Sequence, residues 1–159
     1  MNGQPSAVQR EILQTRPFRS AAHEGVVGLL RTADRVRWHF CEVLAPYGMT
    51  LPQYNVLRVL RGAGPKGLPT LEVAERLIEH APGITRMMDR LERRGWVRRE
   101  RCSGDRRQVL CFLTTEGEKL LAELDKPIDR ADEEALRGLT PAKQHDLIEL
   151  LDRVRGALG

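Results

Sequence analysis

Aromatic side chains are scarce in this chain: three Phe, two Tyr and two Trp among 159 residues. A core of that size must be closed with Leu, Val, Ile and Ala, which pack readily as stripes on helices, so a helix-rich fold is expected. No run approaches the roughly 18 consecutive apolar residues that cross a bilayer. The polar start MNGQPSAVQREILQ lacks the apolar centre of a secretion signal, and a cytoplasmic protein is expected. The three cysteines, Cys41, Cys102 and Cys111, are odd in number and show no CxxC or Cys/His ligand spacing. Neither a disulfide framework nor a metal site is expected. His23, His39, His80 and His145 are scattered, with no HExxH, GxSxG or phosphate-cradling glycine loop. This argues against an enzyme and against a bound cofactor. The length suits one compact domain.

What is present is an uneven distribution of charge. From Ala81 to Leu113 there are nine arginines, at 86, 90, 93, 94, 98, 99, 101, 106 and 107, against four acids, Asp89, Glu92, Glu100 and Asp105. The rest of the chain holds 17 Lys/Arg against 18 Asp/Glu. The whole positive excess therefore sits in one-fifth of the chain, which is the footprint of a polyanion-binding surface. Arginine runs also decorate solvated helix faces that bind nothing, so the order of elements has to decide.

Residues 1–22 contain two prolines and read as an extended or partly helical arm. From His23 to Tyr47 the apolar positions Val26, Leu29, Leu30, Ala33, Val36, Phe40, Val43 and Leu44 recur every three or four residues, which predicts an amphipathic helix closed by Pro46 and Gly48. Thr50-Leu51-Pro52-Gln53 reads as a capping box opening a helix through Leu60. GAGPKGLP, residues 62–69, reads as a loop. Thr70 is a candidate cap for a short helix through Leu77 and Ile78. Pro82 to Arg94 reads as a second helix with Ile84, Met87, Met88 and Leu91 inward and Gly95 as its stop. The period then changes to two. Trp96–Cys102 and Gln108–Leu113 read as strands joined through Ser103-Gly104-Asp105, an arginine-tipped hairpin. Thr114 opens another helix, which Pro127 should bend, and Thr140-Pro141 opens the last.

Short helix, tight connection, second helix, basic hairpin is the order of a winged helix-turn-helix. The expected fold is mainly α with a small β-hairpin wing (α+β), residues 49–113 forming a DNA-binding lobe and 23–48 and 114–159 the flanking helices. In such a module the second paired helix enters the major groove with its N-terminal side chains toward base edges. Gly83, Thr85, Arg86, Asp89, Arg90 and Arg93 fall on or near its open face. Arg86 is the first choice for a base contact, because arginine can donate two hydrogen bonds to guanine. Thr85 and Arg90 suit phosphates. Thr70, Pro82 and Gly83 complete the candidate DNA-binding set on the helices. The alternative for each arginine is an ordinary surface side chain, which weighs more at Arg93 and Arg94 than at Arg86.

The stretches LPQYNVLRVL, APGITRMMDRLERRGWVRRE and SGDRRQVLCFLTTEG, in this order and spacing, make the chain resemble the multiple antibiotic resistance regulator (MarR) family from about residue 25 to its end. The resemblance implies a transcriptional regulator whose wing carries an Asp-x-Arg pattern, matched by Asp105 and Arg107. The acid orients the basic cluster and an arginine reaches into the minor groove, where narrow grooves concentrate negative potential. Arg106 lies between them, and either arginine could be the one that inserts. The resemblance also implies a homodimer formed by the first and the last two helices, whose broad Leu/Val faces one small winged module could not cover alone. Such a dimer would read a pseudo-palindromic operator with half-sites about 34 Å apart.

Many members of that family are repressors released by a small, often phenolic or aromatic, molecule bound between the dimer helices and the DNA-binding lobe. By analogy Trp38, Met49 and Tyr54 could line such a site. As core packing the same three need no ligand. A branch of the family senses peroxides through a cysteine near the start of the first long helix. Here the only cysteine on that helix, Cys41, lies near its end, and Cys102 and Cys111 are unevenly placed about the turn. A thiol-based redox sensor of the same fold, and a winged protein-interaction module without DNA binding, stand as alternatives.

Overall fold

The computed structural model describes residues 4–79, 82–102 and 108–159. Helix α1 spans Ala7–Glu11 and α2 Ala21–Leu44, followed by a 3-10 turn over Ala45–Tyr47 and a left-handed Gly48. Then come α3 (Leu51–Ala63), strand β1 (Leu68–Pro69), α4 (Thr70–Glu75), α5 (Ile84–Arg93), β2 (Val97–Arg101), β3 (Val109–Leu113), α6 (Thr115–Leu136) and α7 (Pro141–Gly156). The three strands form one antiparallel sheet in the order β1-β3-β2.

Five of the helices begin where a hydroxyl can take the place of a missing backbone acceptor. Ser6, Ser20, Thr50, Thr114 and Thr140 each accept a hydrogen bond from the backbone N–H three residues on. At Thr50 the capping box closes in both directions, since the Gln53 side chain accepts from the Thr50 N–H at 3.0 Å. Pro127 lies inside α6, which nevertheless runs unbroken from Thr115 to Leu136.

The core forms where α3 is wrapped by its neighbours. Leu57 and Leu60 of α3 meet Leu44 of α2, Met88 and Leu91 of α5, Val97 of β2, and Leu121 and Leu124 of α6, all fully or almost fully buried. Burying one such side chain contributes about 1.5–3 kcal/mol, so this cluster carries much of what holds α2 and α6 on the lobe. By contrast α7 has no buried residue, and α2 buries only Leu44.

Three expectations need correction. The stretch 62–69 is not all loop: α3 continues to Ala63, a 3-10 turn covers Gly64–Lys66, and Leu68 and Pro69 pair with Cys111 and Leu110. Gly67 makes this approach possible, with φ at +63° and a backbone so close to β3 that a Cβ there would meet the Phe112 ring and the Cys111 carbonyl at 2.5–2.7 Å. Thr70 is not a cap either. It is the first residue of α4, and its hydroxyl donates to the Val109 carbonyl at 3.3 Å and contacts the Cys111 sulfur at 3.4 Å. Pro82 precedes α5 instead of opening it, because Gly83, left-handed at φ +85°, is the residue that turns the chain into that helix.

Candidate nucleic-acid interface

α5 has the two-sided character that its pattern predicts. Met88 and Leu91 are fully buried, with Ile84 and Met87 half-buried beside them, while Thr85, Arg86, Arg90 and Arg93 are exposed. Packing of the apolar stripe against α3 and β2 therefore orients the polar face outward. Unlike α2, α3, α6 and α7, α5 starts, at Gly83, without a side-chain cap hydrogen bond among the described residues.

The outward face borders a groove of about 470 Å³ lined by Pro82, Gly83, Arg86, Met87 and Arg90 on one wall and by Thr50, Pro52 and Gln53 of α3 on the other. It continues into a second hollow between Gly48, Thr50 and the Arg90, Arg93 and Arg94 side chains. The structure thus brings together Pro82, Gly83, Arg86 and Arg90 from the expected set. It leaves Thr70 elsewhere, its hydroxyl engaged by β3. Thr85 is exposed on α5 but does not line the groove. Gly48, Thr50, Gln53 and Arg94 were not anticipated in it. The capping motif at Thr50 was visible in the sequence, but only the packing of α3 against α5 shows that it faces the same hollow.

The arginines divide into tied and untied groups. Arg99 of β2 reaches back to α5, donating to Glu92 at 2.6 and 3.0 Å and to Asp89 at 2.6 Å. The hydrogen bonds to Glu92, and then to Asp89, hold its pKa above the usual arginine value despite partial burial. Arg98 pairs with Glu100 and lies over the Phe112 ring at 4.1 Å. Arg94 donates to the Gly48 carbonyl at 2.8 Å and stacks over Trp96. Arg93 donates to the Asp89 carbonyl of its own helix at 3.2 Å. Among the described residues, Arg86 and Arg90 have no acidic partner within 4.0 Å and no side-chain hydrogen bond. Asp105, Arg106 and Arg107 lie outside the described residues.

A second cleft, of about 560 Å³, opens between α2, α3, the end of the segment following α4, and α6. Val36, Phe40, Tyr54 and Ile128 supply apolar walls. Arg37, Arg58, Glu79 and Asp132 supply charge. Of the three candidate ligand residues only Tyr54 lines it. Trp38 is 66% exposed on the outside of α2, and Met49 is 4% exposed within the core. Burial pushes the Tyr54 phenol above its usual pKa, opposed by Arg58 and Arg61, so its proton is available as a donor at neutral pH.

The cysteines are free thiols. Cys111 on β3 is buried, which raises its pKa, although the Thr70 hydroxyl and Arg99 oppose the shift. It pairs in register with Arg99, whereas the Cys102 N–H bonds Gln108 at the far end of the hairpin. Three strand positions, about 10 Å, separate their levels, too far for a disulfide.

A family model described as the MarR family matches residues 49–109. The transcriptional regulator HosA of Escherichia coli O157:H7 is 34% identical over 106 residues, 67% of this chain and 77% of that protein. The HTH-type transcriptional regulator FarR of Neisseria gonorrhoeae is 30% identical over 135 residues, 83% of this chain and 91% of FarR. Among solved structures, Sco3205, a MarR family transcriptional regulator from Streptomyces coelicolor in complex with DNA, superposes with a TM-score of 0.78 at 27% identity, covering 89% of this chain and 94% of that one. The PcaV transcriptional regulator of the same organism, in complex with its natural ligand, gives 0.72 at 29% identity, covering 91% and 100%. Because similarity extends beyond the winged lobe into the flanking helices, this chain belongs to the MarR family of transcriptional regulators and is not an enzyme.

Proposed function

We propose that this regulator binds double-stranded DNA as a homodimer and represses transcription until a small aromatic molecule occupies the cleft between α2, α3 and α6. The observation that carries the DNA reading is the pair Arg86 and Arg90. Both are exposed on a helix whose opposite face is fixed in the core, and both border a groove with the uncapped start of α5. Arg86, in the first turn, is placed to donate to a guanine edge when α5 lies in the major groove. Arg90, with Thr85 and Gly83 beside it, suits backbone phosphates. The groove wall at Thr50 and Gln53 extends the same surface. Asp105, Arg106 and Arg107 would form the wing tip that enters the neighbouring minor groove.

The dimer reading rests on the apolar side chains that α2 and α7 leave uncovered, among them Leu29, Leu30, Ile148, Leu150 and Val154. Pairing these helices with a second copy would place two α5 helices about 34 Å apart on a pseudo-palindrome. The effector reading rests on the cleft, whose lining is mostly apolar and includes the charged Arg37, Arg58, Glu79 and Asp132. A cytoplasmic location fits a DNA-binding protein, and no described helix is long and apolar enough to cross a membrane. The buried, pKa-raised Cys111 argues against a thiol sensor at that position.

Binding to duplexes of graded salt tests the central claim. Affinity should fall steeply with rising salt as counterions are released, and a preferred duplex should stand well above random sequence. A flat salt response, or equal affinity for every duplex, would favour a protein-interaction module.

A further inference from the structure

Few hydrogen bonds hold the stem of the β2–β3 hairpin to the rest of the lobe. β1 is two residues long and Pro69 has no N–H, so Leu68 is the one backbone donor that β1 can offer to β3. Arg99 fastens β2 to α5 through Asp89 and Glu92, at the level of Cys111. Two positions nearer the tip, at the level of Arg101, lies Val109, the first residue of β3. Its carbonyl accepts from the Thr70 hydroxyl at 3.3 Å. Among the described residues this is the outermost hydrogen bond from the hairpin to another element. The next one out, from the Cys102 N–H to the Gln108 carbonyl, joins the two arms of the hairpin to each other.

The bond has a defined direction. A hydroxyl carries one proton and a carbonyl can only accept, so the Thr70 proton goes to Val109. The Cys111 sulfur, 3.4 Å from the same oxygen, is then the donor of the second contact. Thr70 thus engages β3 twice while being the first residue of α4, the helix that precedes α5. A stem tied at the level of Cys111 alone would leave two residues of each strand, about 7 Å, free to swing. The Thr70 hydroxyl removes that freedom.

We propose that Thr70 is a positioning residue for DNA recognition, which touches no DNA itself and sets the angle at which the hairpin meets the minor groove by tying β3 to α4. The proposal rests on the reading of the hairpin as a minor-groove wing and adds the residue that aims it. Negative potential is concentrated in a narrow minor groove, so an inserted arginine is sensitive to a small displacement. Arg86 belongs to a helix fixed by its own core stripe, Met88 and Leu91, and does not depend on Thr70 for its place. Loss of the Thr70 hydroxyl therefore separates the two kinds of reading.

The test uses fluorescence anisotropy on the full chain, with a duplex enriched from random sequence whose central bases are kept and whose flanks are made A·T-rich or G·C-rich. Wild type should prefer A·T-rich flanks, where the minor groove is narrow, and a double R106A, R107A variant should lose that preference. T70V keeps the side-chain shape and removes the donor. It should bind the A·T-flanked duplex about three- to tenfold more weakly, the size of one hydrogen bond, with the G·C-flanked duplex and discrimination at the central bases unchanged. T70S, which returns the hydroxyl, should restore the preference. An unchanged flank preference in T70V, or a loss that T70S does not restore, overturns the proposal. Equal weakening on both duplexes, or lost discrimination at the central bases, overturns it as well, since damage to the whole lobe would do the same. T70A carries the comparison if T70V does not fold, and failure of both to fold, read by urea unfolding, overturns the proposal by making Thr70 part of the core. A flank preference absent in wild type, or kept by the double variant, overturns the wing reading itself. One lost in the double variant and kept in T70V overturns the role of Thr70 alone.

Discussion

The winged lobe and the flanking helices solve the problem of burial differently. In the lobe, α3 buries six consecutive or near-consecutive positions, and α5 and β2 close over it. In α7 not one residue is buried, and most apolar positions of α2 face outward. The two regions have similar stripes of Leu and Val in sequence, so composition does not separate them. What differs is whether the same chain supplies the covering surface. The lobe is complete within one copy, whereas the apolar side chains of the outer helices stay uncovered by it.

The largest expected effect breaks the first half of this contrast. Leu57→Ala, at the fully buried centre, should cost about 2–5 kcal/mol of folding stability, read by denaturant unfolding. A loss under about 1 kcal/mol would mean that the core is not where the lobe's stability lies. The second variant addresses the outer helices. Leu150→Asp with Val154→Asp should convert a dimer to monomer in sedimentation, each position contributing on the order of 2 kcal/mol to association, while the unfolding of the lobe changes little. Wild-type sedimentation as a monomer, or a dimer untouched by both charges, would end the comparison.

Within the lobe the contrast is between untied and tied arginines. Arg86→Ala should cost about 1–3 kcal/mol on the preferred duplex and flatten discrimination against other sequences. Equal loss on random duplex would move Arg86 to the phosphate-binding class. Arg99→Ala removes the link from β2 to Asp89 and Glu92, so it should lower stability by about 1 kcal/mol and weaken all duplexes alike, without altering base preference. A specific change of base preference there would show that Arg99 leaves its carboxylates to meet DNA.

The smallest expected effect lies at Asp132 in the cleft. Burial, reinforced by Asp129 and opposed by Arg58, raises its pKa above the usual carboxylate value. The native state therefore holds this proton more tightly than the unfolded chain, and stability falls as pH rises from the ordinary carboxylate range through the raised native value. Asp132→Asn removes that loss. Its Tm at neutral pH should exceed wild type, with the difference vanishing in acid below the ordinary carboxylate range. A lower Tm at neutral pH would show that the Asp132 charge is stabilising, through Arg58.

Several elements were legible from short stretches because their physics is local. A capping box needs four residues, and Thr50 to Gln53 contain all of it. Thr114 and Thr140 announce their helices in the same way, and the alternation from Val109 to Leu113 announces β3. β1 was missed because two residues, one of them proline, have no period. They become a strand only because β3, some forty residues later, pairs with them. The Thr70 hydroxyl resembles a local cap in the sequence for the same reason, since its actual partners are on β3.

The amino-acid sequence alone determined the order of the long helices and of β2 and β3, the inward stripe of α5 and the concentration of arginine around it, because these depend on periodicity, caps and charge within a few residues. Tertiary structure decided which of those arginines are held by Asp89, Glu92, Glu100 or the Gly48 carbonyl, and which have no such partner among the described residues. It also brought Thr50 to the groove beside Arg90, and Glu79 to Arg37. A charge is a property of a residue, but its availability depends on what the fold places within a few ångströms of it, and no local pattern contains that distance.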